Sequence, residues 1–220
     1  MGRLPALTLF GWFALGCDDA KKPEATRERS QVVTAASPTS SAPRPPASAP
    51  TRPKSPARKL CQPELDEPRA KAPDRAISRR QATGEPELPE KLALGGGAHT
   101  WINFWAAWCA PCKEELPRLL AFEKKLKQSG RKFRLVFVSL DDDMRQLDEF
   151  LKAQGEGGLR RTYVLAEGKE RKEWLKAAEI EEDPELPTHL LVDPDGKLRC
   201  RVRGALEDSD YTSLAELVAR

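Results

Sequence analysis

The chain has no apolar run long enough to span a bilayer; residues 4–15, Leu-Pro-Ala-Leu-Thr-Leu-Phe-Gly-Trp-Phe-Ala-Leu, stop well short of the ~20 residues a transmembrane helix needs. It also lacks a strong charge of either sign, since 37 Lys and Arg face 34 Asp and Glu. The basic residues of the N-terminal quarter, among them Lys21, Lys22, Arg44, Arg52, Lys54, Arg58 and Lys59, have no interleaved aromatics. That excludes a nucleic-acid partner, and the run reads as a solubilising surface. Asp141-Asp-Asp143 is not followed by the Asp-x-Asp-x-Asp-Gly spacing of a calcium loop, so these residues are expected to cap a helix, through Asp142 or Asp143. Histidine is scarce, with only His99 and His189.

What is present is unevenly spread. Arg3 followed by the short apolar run reads as a signal peptide over residues 1–16, ending in Ala14-Leu-Gly-Cys17. This ending resembles a bacterial lipobox, in which Cys17 is lipidated and becomes the mature N-terminus. Ala14 stands where Leu is usual, and the same small residues suit ordinary cleavage that leaves Cys17 as a free thiol. Acylation would supply more than one chain, enough for stable anchoring to a membrane.

Residues 17–59 are rich in Pro, Ala, Ser and Thr, with Val32 and Val33 almost the only large apolar residues before Arg58, so they form no core and read as a disordered tether. Its prolines favour extended structure, with a reach of ~100 Å at ~3.1 Å per residue. Residues 60–84 read as an irregular linker or N-terminal extension broken by Pro63, Pro68 and Pro73, with a short helix near Arg75 to Gln81. The folded domain is expected over 85–220, close to the usual size of one domain.

Within it, Thr100 to Trp105 has buried-strand character, and Leu116, Leu119, Leu120 and Leu126 follow with helical spacing. Cys109 and Cys112 therefore sit where a strand feeds a helix. A helix N-terminus favours an anion, and the thiolate is the reactive form of cysteine, so Cys109 is expected to be the acidic, exposed nucleophile. Two intervening residues bring the sulfurs within bonding distance, which lets Cys112 resolve a mixed disulfide. Pro111 helps start the helix. Further along, Phe133 to Ser139 reads as a central strand, and Met144 to Leu151 as a helix. Leu190 to Val192 and Leu198 to Val202 read as a hairpin around Pro194-Asp-Gly196, and Leu206 to Ala219 as a closing helix.

Asn103-Phe-Trp-Ala-Ala-Trp-Cys-Ala-Pro-Cys-Lys-Glu-Glu-Leu-Pro117 resembles the membrane-anchored TlpA/ResA-like thiol-disulfide oxidoreductases of the thioredoxin superfamily. The resemblance implies an α/β, thioredoxin-like fold with a central mixed sheet flanked by helices. It implies a loop at Leu186-Pro187-Thr188 with a cis-proline facing the redox pair, where Leu186, Pro187, Pro111 and Trp108 would contact an extended substrate. Asn103, where thioredoxin itself has a buried aspartate, points to the TlpA-like branch. Glu115 then corresponds to an active-site glutamate, which partial burial would bring into the range useful for proton exchange with the sulfurs. Glu114 competes for that role, and an exposed first-turn glutamate with no role in catalysis is the plain alternative.

The implied activity is thiol-disulfide exchange with protein substrates, as an extracytoplasmic, membrane-anchored reductant in the periplasm, in some relatives serving cytochrome c maturation. A membrane electron donor would re-reduce Cys109-Cys112, with no other cofactor, and the chain would act as a monomer. The rival is a non-enzymatic lipoprotein that binds partners or delivers copper. Copper-carrying relatives have three residues between the cysteines, whereas this chain has two, so no metal is expected. Nor does either cysteine lie in a Pro-x-x-x-Thr-x-x-Cys peroxidase element. Cys61 and Cys200 remain: either they form a structural disulfide, or Cys200 is a small core residue and Cys61 is free.

Overall fold

The computed structural model describes residues 58–61 and 69–219. The signal peptide, Cys17 and nearly all of the tether lie outside the described residues. Among these, no helix is long and apolar enough to cross a membrane.

Six strands form one sheet in the order β1-β4-β3-β2-β5-β6. They are β1 (Ser78–Gln81), β2 (His99–Trp105), β3 (Phe133–Ser139), β4 (Arg161–Val164), β5 (Thr188–Val192) and β6 (Leu198–Arg203). The helices are α1 (Ala110–Gln128), α2 (Met144–Ala153), α3 (Lys169–Ala177) and α4 (Tyr211–Leu217), the last preceded by a 3₁₀ turn at Asp208–Asp210. The sheet is mixed, as expected: β2, β3 and β4 run parallel, while β1, β5 and β6 pair antiparallel to their neighbours.

Every residue of β2 is buried, and its alternation divides the interior in two. Trp101 and Trp105 enter a cluster with Leu116, Leu119 and Phe122 of α1, Leu147 of α2 and Leu214 of α4. Ile102 and Phe104 enter the opposite cluster with Trp174 and Leu175 of α3 and with Ile77 and Leu92. A strand covered on both faces has no polar side to show to water, hence its near-continuous apolar sequence. Asn103, between Trp101 and Trp105, is thereby directed into the α1 side.

Helix α1 continues through Pro117 as one element and stops at Ser129. Gly130, at φ +78°, donates to Lys127 O, and Arg131 donates to Leu126 O, which together satisfy the last carbonyls in the pattern of a glycine C-terminal cap. The loop before β2 carries Gly95, where a Cβ would lie 2.9 Å from Gly196 N in the β5–β6 turn. That close approach lets the two loops pack backbone to backbone.

The short helix expected near Arg75 to Gln81 is instead the edge strand β1, paired with β4 from Ser78 to Gln81. Its side chains are exposed or half-buried, so backbone pairing rather than an apolar stripe holds it, and no helical spacing marks it. Lys71 and Ala72 also join the β5–β6 turn, through the bridge Lys71–Lys197 and the bond from Ala72 N to Gly196 O. The folded unit therefore includes residues before 85.

Candidate active site

Strand β2 ends at Trp105, and four residues later Cys109 caps the N-terminus of α1. Cys109 has extended backbone at φ −81°, ψ 105°, its Sγ accepts a hydrogen bond from Cys112 N at 3.3 Å, and its carbonyl accepts from Lys113 N. Pro111 occupies the first turn, where a missing N–H leaves no bond unmade, and that turn holds no acidic residue. Anionic sulfur at this position is favoured by the helix end and opposed by no neighbouring carboxylate of that turn. Cys109 and Cys112 are joined as a disulfide with a Cα–Cα separation of 5.3 Å.

Cys109 is 4% exposed, whereas an openly exposed thiol was expected. In the bonded form Cys109 and Cys112 belong to the α1-side core cluster, against which Leu186 also packs. Trp108, next to Cys109 in the chain, is a large apolar residue that is 59% exposed. Leu186-Pro187 is a cis peptide bond. Because Phe104 of β2 pairs with Thr188 of β5 antiparallel, the chain leaving β2 for Cys109 and the chain entering β5 from Pro187 meet at one end of the sheet. Thr188 Oγ1 donates to Glu185 O at 2.6 Å, and Gly204 N donates to Pro187 O at 2.9 Å, which ties the loop to the end of β6.

Glu114 is exposed and Glu115 fully buried. Cys112 and Glu115, three residues apart, share the inner face of α1. Glu115 Oε1 accepts from Asn103 Nδ2 at 2.7 Å, and Oε2 accepts from Leu206 N at 2.8 Å. His189 Nε2 lies 3.5 Å from the same Oε2, and His189 is also fully buried. His189 Nδ1 in turn accepts from Trp101 Nε1 at 3.0 Å, with Asn103 Nδ2 at 3.3 Å. A carboxylate thus lies behind the redox pair, held by side chains of β2, the backbone after β6, and a histidine of β5.

In the sequence His189 is one of two histidines, in a short apolar strand with no local motif around it. Its alternation with Leu190 shows a face but not which strand lies opposite, and only the β2–β5 register, Asn103 opposite His189, brings it to Glu115.

The acidic triplet divides its work. Asp143 caps α2, accepting from Arg145 N and Gln146 N, as expected. Asp142 accepts from Glu167 N at 3.0 Å and pairs with Arg171. Asp141, not singled out from the sequence, is buried and accepts Ala107 N on both oxygens, at 3.0 and 2.9 Å, with Ser139 Oγ at 2.7 Å. Burial raises its carboxyl above the usual range, against the lowering effect of those donors.

Away from this end, Cys61 and Cys200 are placed as a disulfide, with a Cα–Cα separation of 5.1 Å. Arg58 reaches Asp210 and Ala205 O, and Leu60 is buried in the α1-side core, so residues 58–61 clip onto β6 and the 3₁₀ turn. His99, at the start of β2, has its pKa lowered by burial and by Arg199, with Asp193 opposing. Among the described residues, no group of three or more His, Cys, Asp or Glu side chains is arranged to hold a metal.

Residues 97–198 match the family model described as thioredoxin-like. The chain is 30% identical over 121 residues to the thiol-disulfide oxidoreductase ResA of Bacillus subtilis (strain 168), covering 54% of this chain and 62% of that protein. It is 31% identical over 119 residues to the thiol:disulfide interchange protein HelX of Rhodobacter capsulatus, covering 54% and 60%. It therefore spans about 60% of the length of these curated relatives. A solved structure from Chlorobium tepidum, assigned as thiol:disulfide interchange protein DsbE, superposes with a TM-score of 0.51 at 26% identity, over 70% of this chain and 98% of that one. Sheet order, the cysteine pair capping α1 and the cis-proline loop give the folded domain a thioredoxin-like fold, and these likenesses make it similar to the ResA-like thiol-disulfide oxidoreductases.

Proposed function

We propose that this protein is an extracytoplasmic thiol-disulfide oxidoreductase that reduces disulfides of protein substrates. The observation that carries the reading is Cys109 at the N-cap of α1, bonded to Cys112 and backed by the buried Glu115. Relatives named for thiol-disulfide oxidoreduction and interchange support it.

In the reducing direction both cysteines start reduced, Cys109 as the thiolate and Cys112 as the thiol. Cys109 Sγ attacks one sulfur of the substrate disulfide, that bond breaks, and the departing substrate thiolate takes up a proton. Cys112 then passes its proton to Glu115 and attacks Cys109 Sγ. The Cys109-Cys112 bond forms, the second substrate thiolate leaves, and the proton held by Glu115 goes on to it. Two electrons have passed from the cysteine pair to the substrate, together with one proton from Cys112 by way of Glu115 and one from solvent. Trp108, Pro111, Leu186 and Pro187 form the surface along which an extended substrate segment docks, and an external dithiol, held by a membrane electron donor, returns the pair to the reduced state.

The resemblance to ResA makes the cysteine pairs of apocytochrome c the first substrate class to try. Lipidation of Cys17 would hold the domain at a membrane facing the periplasm, and it would act there as a monomer. Mass spectrometry of the mature N-terminal peptide reads this directly, and an unmodified Cys17 removes the anchor.

The function is tested with Cys112→Ser, which should accumulate a mixed disulfide through Cys109, and by equilibrating the pair against a thiol buffer. A potential near the roughly −270 mV of a dithiol reductant is expected, and one near the about −120 mV of a strong oxidant would reverse the direction. Absence of any mixed disulfide and of any disulfide reduction by the native chain would overturn the proposal.

A further inference from the structure

Glu115 is held by three groups, and two are easily explained. Asn103 Nδ2 and Leu206 N are ordinary donors to a buried carboxylate, at 2.7 and 2.8 Å. The third, His189, stands on a strand that contributes nothing else to the redox pair beyond its entry at Pro187. Its ring is fixed by chemistry rather than by packing alone. Indole N–H only donates, so Trp101 Nε1, 3.0 Å from His189 Nδ1, makes that nitrogen the acceptor and leaves the ring proton on Nε2. Asn103 Nδ2, at 3.3 Å from the same Nδ1, demands the same tautomer. Nε2–H is then the ring's only donor, Glu115 Oε2 lies 3.5 Å from it, and among the described residues it has no other hydrogen-bond partner. A buried N–H without a full partner is unfavourable unless it interacts with a charge, and the carboxylate supplies one.

We propose that His189 is a positioning residue for the exchange reaction: its Nε2–H, aimed by Trp101, orients the Glu115 carboxylate as the acceptor of the Cys112 proton. The inference rests on the thiol-disulfide reading of the site and adds the residue that prepares its base. His189 touches neither sulfur nor substrate in the reaction; it acts through Glu115. The proton moves from Cys112 Sγ to Glu115 and on to the departing substrate thiolate, while His189 keeps its own proton throughout.

The groups packed against the pair come from every side. Cys112 faces it from α1, Trp101 and Asn103 from β2, Val202 from β6 by its pairing with His189, and the Leu206 backbone from the segment after β6. The charges that reach this last segment are Arg118, bound to Leu206 O and Asp208, and Arg58, bound to Ala205 O and Asp210. Arg201 and Arg203, the β6 residues flanking Val202, turn outward to Glu179 O and Glu181. None of these is altered by a substitution at His189.

The test uses the full chain and follows the rate at which a preformed Cys109 mixed disulfide with a small aromatic thiol is resolved by Cys112, as a function of pH. His189→Leu should move the acidic limb of that profile upward by about one pH unit and slow resolution roughly tenfold on the limb, the effect of losing one charge-assisted donor. His189→Gln, which can place an N–H where Nε2 stood, should restore most of the rate. In a Glu115→Gln background, His189→Leu should change nothing further. Should His189→Leu not fold, judged by its melting, His189→Met takes its place in each comparison. An unmoved limb in His189→Leu, no rescue by Gln, or an equal shift without Glu115 would overturn the inference. Resolution of a small mixed disulfide does not depend on a protein substrate, so failure here is separable from failure of the proposed function.

Discussion

Asp141 binds the backbone N–H of Ala107 with both carboxylate oxygens, at 3.0 and 2.9 Å, from the end of β3 to a point two residues before Cys109. The loop between β2 and α1, which carries Trp108 and presents Cys109, is thus held by one buried acid just past the end of β3. Ser139 Oγ donates to the same carboxylate at 2.7 Å and accepts from Asp141 N, which closes the arrangement.

Asp141→Asn should keep an acceptor for Ala107 while removing the charge. Burial raises the carboxyl of Asp141 in the folded state above its ordinary value of 3.8. The folded chain therefore binds this proton more tightly than the unfolded chain, and the contribution to stability falls as pH rises from about 3.8 through the raised value, then stays level. The Asn variant should lack that decline in a series of melting curves between about pH 3.5 and 7. Asp141→Ala leaves Ala107 N–H unmet and should lose about 1–3 kcal/mol in urea unfolding at pH 7. Equal slopes in wild type and Asn variant would show that Asp141 is not the titrating group.

Glu115→Gln removes the proton acceptor one helical turn from Cys112 while preserving the side chain's length. The first attack by Cys109 should be little affected, and resolution by Cys112 should slow by roughly 10². Rapid-quench measurement of the mixed disulfide separates the two steps. An unchanged resolution rate takes Glu115 out of the mechanism.

Trp108→Ala should act chiefly on docking, because the side chain is 59% exposed. Stability should move by less than ~0.5 kcal/mol, as for an ordinary surface change. The half-saturating concentration of a protein substrate should rise roughly tenfold with the loss of an aromatic contact. A fall in turnover at saturating substrate, with affinity intact, would assign Trp108 a different part.

Replacing Cys61 and Cys200 together by Ser should destabilise the oxidised chain by about 2–4 kcal/mol, since the bridge closes a sequence separation of 139. In strong reductant the variant and the wild type should unfold alike. Alkylation of Cys61 in the folded, unreduced protein would show that no bridge forms.

Local sequence was most readable where one element could be recognised without its neighbours. The strand before Cys109, the helix after it and its stop at Ser129-Gly130 follow from apolar spacing and glycine chemistry over short stretches. The β5–β6 hairpin is similarly local, with Pro194-Asp-Gly196 between two apolar runs. Strand β1 was not legible, because an edge strand held by backbone pairing needs no apolar pattern, and its sequence Ser78-Arg-Arg-Gln81 has none. Among the site residues, Cys109, Cys112 and Pro187 stand in motifs, whereas Asp141 and His189 do not. Each works through a partner more than thirty positions away.

The amino-acid sequence by itself determined that a cysteine pair caps a helix after a buried strand, that a proline loop precedes a hairpin, and that residues 17–59 lack the apolar residues for a core. These are consequences of local spacing and composition. Tertiary structure alone decided that Glu115 rather than Glu114 faces inward, that His189 and Asn103 meet it, and that Asp141 holds the loop of Cys109. The reason is that strand order and register place side chains remote in sequence on one face of the sheet, and hydrogen bonds between them exist only once that face is closed by α1.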